Sequence, residues 1–199
     1  MGPIKKRQGA NLPHWTAEGA TYFVTFRLGD SLPESVLENY REERQRLLAA
    51  AKTNTSSPPT AEDLLRIEAL FSERIEKYLD TGAGACWMNR PNVADVVQSA
   101  LLFFHETRYV LPAWAVMPNH VHVVVRPLEG FELRDILHSW KSFTSKEVNK
   151  LIGRTGNLWQ AESWDHIVRD EDDFYRCVQY TLANPRQAGL REWRWVGRS

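Results

Sequence analysis

The amino-acid sequence predicts an α+β fold with a ferredoxin-like β-α-β-β-α-β core. Strand-like and helical segments are mixed without regular βαβ alternation. Two strand-like runs, Tyr109 to Met117 and His120 to Arg126, are joined only by Pro118-Asn119, which reads as a central antiparallel hairpin. Helical patterns flank the hairpin on both sides. The core order follows if the helices of residues 34–105 form one elaborated crossover within a single domain of residues 1–199.

Each element has a local reason. Thr21-Tyr22-Phe23-Val24-Thr25-Phe26-Arg27-Leu28 is β-branched and aromatic, hence a strand. Ser31-Leu32-Pro33-Glu34 has capping-box spacing with Pro early in the first turn. The helix it opens runs to about Ala51, with Val36, Leu37, Tyr40, Leu47 and Leu48 at helical spacing. Lys52 to Pro59 is a flexible connection. A second helix opens at Thr60-Ala61-Glu62-Asp63, carries Leu64, Ile67, Phe71, Ile75 and Tyr78, and ends at Gly82-Ala83-Gly84. Pro91 opens a third, with Val93, Val96, Val97, Leu101 and Phe104. Beyond the hairpin, Leu133, Ile136, Leu137, Trp140, Thr144 and Val148 mark a fourth helix, closed near Gly153. Leu158-Trp159 and Trp164 to Val168 are extended, and a final helix runs from about Glu171 to Asn184, where Pro185 stops it.

Composition narrows the class. With 43% hydrophobic residues and eight Trp among 199 residues, the chain can bury a core. It has no apolar run of membrane-spanning length, and no apolar stretch follows Lys5-Lys6-Arg7 as a signal peptide requires. Cys86 and Cys177 read as small buried thiols of a cytoplasmic protein. The formal net charge is zero, yet residues 1–29 carry four basic and one acidic side chain, against seven basic and eleven acidic in residues 30–80. Acidic middle and basic ends cancel in the sum.

Candidate chemistry centres on Trp114-Ala115-Val116-Met117-Pro118-Asn119-His120-Val121-His122. Side chains at i and i+2 share a strand face, so His120 and His122 project together as half of a metal site. On the last helix, Tyr180 and Asn184 are four residues apart and share one face. Asn184 would add an oxygen to two nitrogens, a mixed set that suits Mg²⁺ or Mn²⁺ better than structural zinc. Each piece also has a structural reading: a core histidine pair, a half-buried tyrosine, and an asparagine that ends a helix. Tyr175 is a competing phenol off that face. Glu162 and His166 are candidate acceptors for the outer imidazole nitrogens, or strand-surface positions. Arg27, Arg126, Lys141, Lys146, Lys150 and Arg169 are candidate phosphate contacts, or a solvated face. Trp193 and Trp195 either stack on bases or pack the tail. His14, His105 and His138 read as structural.

These segments, with Tyr180-Thr181-Leu182-Ala183-Asn184-Pro185-Arg186-Gln187-Ala188-Gly189-Leu190, resemble the signatures of the REP-associated tyrosine transposases, within the single-tyrosine HUH transposases (His, hydrophobic, His). Leu158 to His166, the Lys141 helix and Tyr22 to Arg27 share the resemblance, which is weakest over residues 34–80. It implies an HUH-nuclease core with His120, His122 and Asn184 as metal ligands and Tyr180 as nucleophile. It further implies a metal-dependent endonuclease and strand transferase, acting on single-stranded DNA beside a REP-type hairpin through a 5′-phosphotyrosine. The expected partner is single-stranded or hairpin DNA, in the cytoplasm at the nucleoid, with the chain either a monomer or a homodimer and no membrane contact. Two rival readings stand beside it: a domesticated hairpin-binding protein with little or no catalysis, and a small-molecule phosphoesterase, which leaves the tyrosine unexplained.

Overall fold

Runs of β-branched and aromatic residues lay out the strands, and helical periodicity covers them. A computed structural model describes residues 5–8, 13–53 and 74–199. The strands are β1 (Lys5–Gln8), β2 (Pro13–Thr16), β3 (Tyr22–Arg27), β4 (Tyr109–Val116), β5 (His120–Pro127), β6 (Trp164–Ile167) and β7 (Val196–Arg198). The helices are α1 (Glu34–Thr53), α2 (Pro91–Phe103), α3 (Leu133–Ile152) and α4 (Glu171–Gln187), with a single 3₁₀ turn at Trp87–Asn89.

β1 and β2 pair as a separate antiparallel ribbon, while the main sheet has the order β6-β3-β5-β4-β7. Each neighbouring pair of strands in that sheet is antiparallel. The four strands β3 to β6 thus have the ferredoxin-like arrangement expected from the sequence, with β7 added at one edge. Pro118-Asn119 forms the two-residue link of the hairpin, closed by the Met117 amide donating to the His120 carbonyl at 2.8 Å.

The sheet has two buried faces. On one, Val24, Phe26, Val121, Val123 and Val125 pack with Val93, Val97 and Leu101 of α2 and Ile136, Trp140 and Val148 of α3. Buried polar groups there are paired in series. Trp140 Nε1 donates to Tyr109 Oη at 2.8 Å, and that hydroxyl donates to the Leu101 carbonyl at 2.9 Å. Trp159 Nε1 donates to Thr144 Oγ1 at 2.8 Å, which in turn donates to the Trp140 carbonyl. On the other face, Phe23, Ala113 and Val124 meet Val178 of α4, with Phe174, Cys177, Tyr180 and Leu182 half-buried around them.

The chain divides into two compact units, residues 1–29 with 85–199, and residues 30–84. Of the crossover expected over 34–105, α1 falls in the smaller unit and α2 in the larger. Within the smaller unit, Gly84 has φ +87°, and a Cβ there would lie 2.8 Å from the Asp30 carbonyl oxygen, so glycine closes its two ends. The expected connection from Asn54 to Pro59 and the second helix's start with Leu64, Ile67 and Phe71 lie outside the described residues; residues 74–80 are helical.

Two findings differ from the sequence reading. β1, β2 and β7 are too short to carry a period-2 signal. α4 does not stop at Pro185 but runs through it to Gln187. Proline costs that helix one backbone bond, yet the turn closes because the Ala188 amide donates to the Asn184 carbonyl at 2.9 Å and the Leu190 amide to the Pro185 carbonyl at 2.8 Å. The tail is packed: Trp195 is buried and its Nε1 donates to Asp95 Oδ1, while Trp193 Nε1 donates to the Val116 carbonyl. Cys86 and Cys177 are half-buried thiols outside any disulfide.

β7 holds its edge position through a close approach: a Cβ at Gly197 would sit 2.5 Å from Trp114 Cζ2. Gly197→Ala is therefore expected to destabilise the protein by about 1–3 kcal/mol, read as a thermal midpoint several degrees lower. An unchanged midpoint would show that the edge strand yields freely.

Candidate functional site

The register of the sheet builds the site. Across β3 and β5, Thr25 stands opposite His122 and Arg27 opposite His120. Period-2 alternation puts all four on the face that α4 covers. His120 and His122 are fully buried, with Nε2 atoms 2.9 Å apart and ring planes at 79°. Phe23 stacks on His122 at 5.6 Å between ring centroids.

The outer nitrogens are held by groups the sequence reading did not single out. His120 Nδ1 is 2.7 Å from Asn119 Oδ1, and His122 Nδ1 is 2.8 Å from Thr25 Oγ1. An amide oxygen only accepts, so His120 carries its proton on Nδ1 and turns the Nε2 lone pair inward. The Thr25 hydroxyl donates or accepts, so His122 can present either a proton or a lone pair at Nε2. Glu162 and His166 do not take this role in the hydrogen bonds seen; His166 Nε2 instead bonds Asp173 Oδ2 at 2.8 Å. The missed signals were small: Asn119 was read only as a turn residue and Thr25 only as a strand former.

α4 delivers the other two groups. The Tyr180 ring lies edge-on to His122, with centroids 5.5 Å apart at 82°. Asn184 is fully buried and its Nδ2 donates to Tyr180 Oη at 3.2 Å. Its Oδ1 is buried without a hydrogen-bond partner. Leaving such an acceptor unpaired costs about 1–3 kcal/mol. Tyr175, by contrast, is exposed on the opposite side of the helix.

These residues fit a divalent cation. Two facing imidazole nitrogens, with an orphaned amide oxygen on the helix that covers them, would supply an N/N/O donor set. Ligand atoms at about 2.1 Å from one ion lie roughly 3 Å apart when adjacent, close to the 2.9 Å between the two Nε2 atoms. Burial, then repulsion from His122, pulls the His120 pKa well below its ordinary value, and burial alone pulls His122 down to about 3. Both are neutral near pH 7, the form a metal requires.

Among the candidate phosphate contacts, the register brings Arg27 to the histidine end of β3. Lys141 is tied down: its Nζ donates to the Gln160 and Ala161 carbonyls at 3.1 and 3.2 Å. Burial, then the nearby Arg27 charge, lowers its pKa to about 8 against the opposing pull of Glu162. Lys146 and Lys150 are exposed on α3, across the sheet from the histidines, and Arg126 and Arg169 are exposed at strand ends. The geometry does not bring these four to the imidazoles.

The paired-histidine strand lies within the part of the chain that is similar to a known family. Residues 93–167 match the family model described as "Transposase IS200 like"; that span holds both histidines and ends before α4. Over 81 residues the chain is 30% identical to the REP-associated tyrosine transposase of Escherichia coli (strain K12), covering 41% of this chain and 47% of that one. It is 24% identical over 145 residues to an uncharacterized protein of Haemophilus influenzae, covering 59% and 73%. Among solved structures it is similar to a REP-associated tyrosine transposase bound to a REP hairpin, with a TM-score of 0.45 and 17% identity, covering 90% of this chain and 77% of that one. The chain is thus similar in sequence to a REP-associated tyrosine transposase, the family its motifs resemble, and it spans about half the length of that curated relative. Among the described residues, no helix is long and apolar enough to cross a membrane.

Two outcomes follow from the geometry. Thr25→Val removes the partner of His122 Nδ1 and is expected to weaken divalent-cation affinity about 10–100-fold with the fold intact, measured by Mn²⁺ titration. The histidine pair also makes stability fall in acid. Each imidazole titrates near 6.5 when unfolded but resists protonation when folded. Stability is therefore level above about pH 6.5 and declines below it, by at most about 1.4 kcal/mol per pH unit for each imidazole. Metal-free urea unfolding at pH 7.5 and 5.0 should show a larger loss for the native protein than for H120Q/H122Q; equal losses would contradict the burial argument.

Proposed function

We propose that this protein is a metal-dependent single-strand DNA endonuclease and strand transferase that acts beside hairpin-forming, REP-type DNA through a 5′-phosphotyrosine intermediate. The observation that supports this reading best is the meeting of His120, His122, Tyr180 and Asn184 on one sheet face with a buried amide oxygen left over. The relationship to the REP-associated tyrosine transposases supports the choice of DNA as substrate.

His120, His122 and Asn184 would hold the cation, Mg²⁺ or Mn²⁺, which when bound supplies charge relief on the scissile phosphate and the leaving oxygen. Asn184 Nδ2 fixes the phenol oxygen of Tyr180, and Phe23 packs edge-on to the same ring with centroids 5.7 Å apart. A nucleophile so held loses little freedom on the way to an in-line approach. Tyr180 Oη bonds to phosphorus and gives up its proton; the bond to the 3′ oxygen breaks and that oxygen gains a proton. One phosphodiester is exchanged for another, so a second 3′-OH can reverse the step as strand transfer without ATP. Arg27, at the same end of β3, would meet the phosphate backbone. The site takes both histidines and the tyrosine from one chain, which supports a monomer as the working unit, in the cytoplasm where the nucleoid is met.

The test is a single-stranded oligonucleotide carrying a REP-type hairpin, incubated with Mn²⁺ and run on a denaturing gel. The native protein and Tyr175→Phe should form a covalent adduct, and Tyr180→Phe should form none. An adduct that persists in Tyr180→Phe refutes the assignment. Hairpin binding that survives EDTA, with no adduct in the native protein, would leave a DNA-binding protein without catalysis.

A further inference from the structure

We infer a second cation site, formed by His166, Asp173 and Cys177 and suited to zinc, that fastens the start of α4 to the edge strand β6. One ligand atom from each residue lies within 4.8 Å of the others. Asp173 and Cys177 are four apart on α4 and share a face, while His166 projects toward them from β6. Two secondary-structure elements thus bring three different donor types within 4.8 Å of one another.

The chemistry selects the ion. Cys thiolate, imidazole and carboxylate form a borderline-soft set that zinc takes in tetrahedral geometry, with the fourth position left to water. Magnesium and manganese prefer harder, all-oxygen or N/O sets, like the one proposed at His120, His122 and Asn184. Charge agrees: a thiolate and a carboxylate neutralise Zn²⁺, which a half-buried site against Phe23 and Val124 tolerates. Asp173 is already aimed, because the Arg169 amide donates to its Oδ2 at 3.0 Å and exposed Arg176 to its Oδ1 at 3.1 Å. The 2.8 Å bond between His166 Nε2 and the same Oδ2 marks where the ion would enter. On binding, the Cys177 proton goes to solvent and the His166 proton moves from Nε2 to Nδ1, leaving a neutral imidazole ligand. Trp164 stacks beside His166 at 8° between rings and shields that side. The site does not depend on the nuclease reading, although an ion there would also brace the helix that carries Tyr180.

Cobalt titration of the full chain tests it. One equivalent of Co²⁺ should give a thiolate-to-cobalt charge-transfer band in the near ultraviolet with tetrahedral visible bands, both displaced by zinc. Cys177→Ser should lose the charge-transfer band, and His166→Ala should weaken binding at least tenfold. Cys86→Ser and H120A/H122A should keep the band. Saturating zinc should raise the thermal midpoint of the native protein and not that of Cys177→Ser. Absence of the band from the native protein, or its survival in Cys177→Ser, overturns the proposal. Because no readout here uses DNA, its failure is separate from failure of the nuclease assignment.

Discussion

The pairing of β3 with β5 is the constraint on which the site rests. Its register sets Thr25 against His122 and Arg27 against His120. A strand has a side-chain period of two, so a slip of one residue would turn both imidazoles toward α2 and α3 and send Val121 and Val123 to the α4 side. The apolar pattern forbids that slip. β5 is buried on both faces, but one face is purely aliphatic and packs with Trp140 and Leu101, while the other holds the histidines. Hydrophobic packing on one side of the sheet thus fixes the chemistry on the other, and the Thr25 hydroxyl confirms the register in a single hydrogen bond.

Much of this was legible in the sequence because the relevant signals are local. The hairpin could be read from Pro118-Asn119 between two strand-like runs, and α2 and α3 from their apolar spacing. The pairing of His120 with His122, and of Tyr180 with Asn184, follows from strand and helix periods alone. What escaped were long-range pairings. β7 and the β1–β2 ribbon exist only because a partner strand lies beside them, and short segments carry little propensity of their own. The roles of Asn119 and Thr25 depend on which imidazole nitrogen faces outward, which only the assembled sheet decides. Pro185 misled because its local rule is to end a helix. Here packing of the α4 face around Val178, Thr181 and Asn184 outweighs one lost backbone bond.

Charge illustrates the same division between local and global information. The zero net charge of the chain says nothing of where cations stand. Arg27, Lys141 and Glu162 interact at the end of β3, and Lys141 is spent on two backbone carbonyls there. That lysine secures the segment after α3 to the core more than it offers a free charge to a polyanion. Arg27, half-buried beside it, has a guanidinium that keeps its charge at every physiological pH.

The two faces of the sheet treat their buried polar groups in opposite ways. Under α2 and α3, the buried polar groups of Tyr109, Trp140, Thr144 and Trp159 are joined in chains of hydrogen bonds, which stabilises that side and fixes a single packing. Under α4, two fully buried imidazoles face each other and a buried amide oxygen has no partner. Selection for stability alone would replace such a cluster with aliphatic side chains, which fill the volume without desolvation cost. Its presence in the middle of a well-formed sheet is what the proposed function would account for. On the proposed function, a cation held by those three donors would pair the orphaned oxygen and both imidazole nitrogens, and the phenol one helical turn away would face the phosphorus atom it attacks.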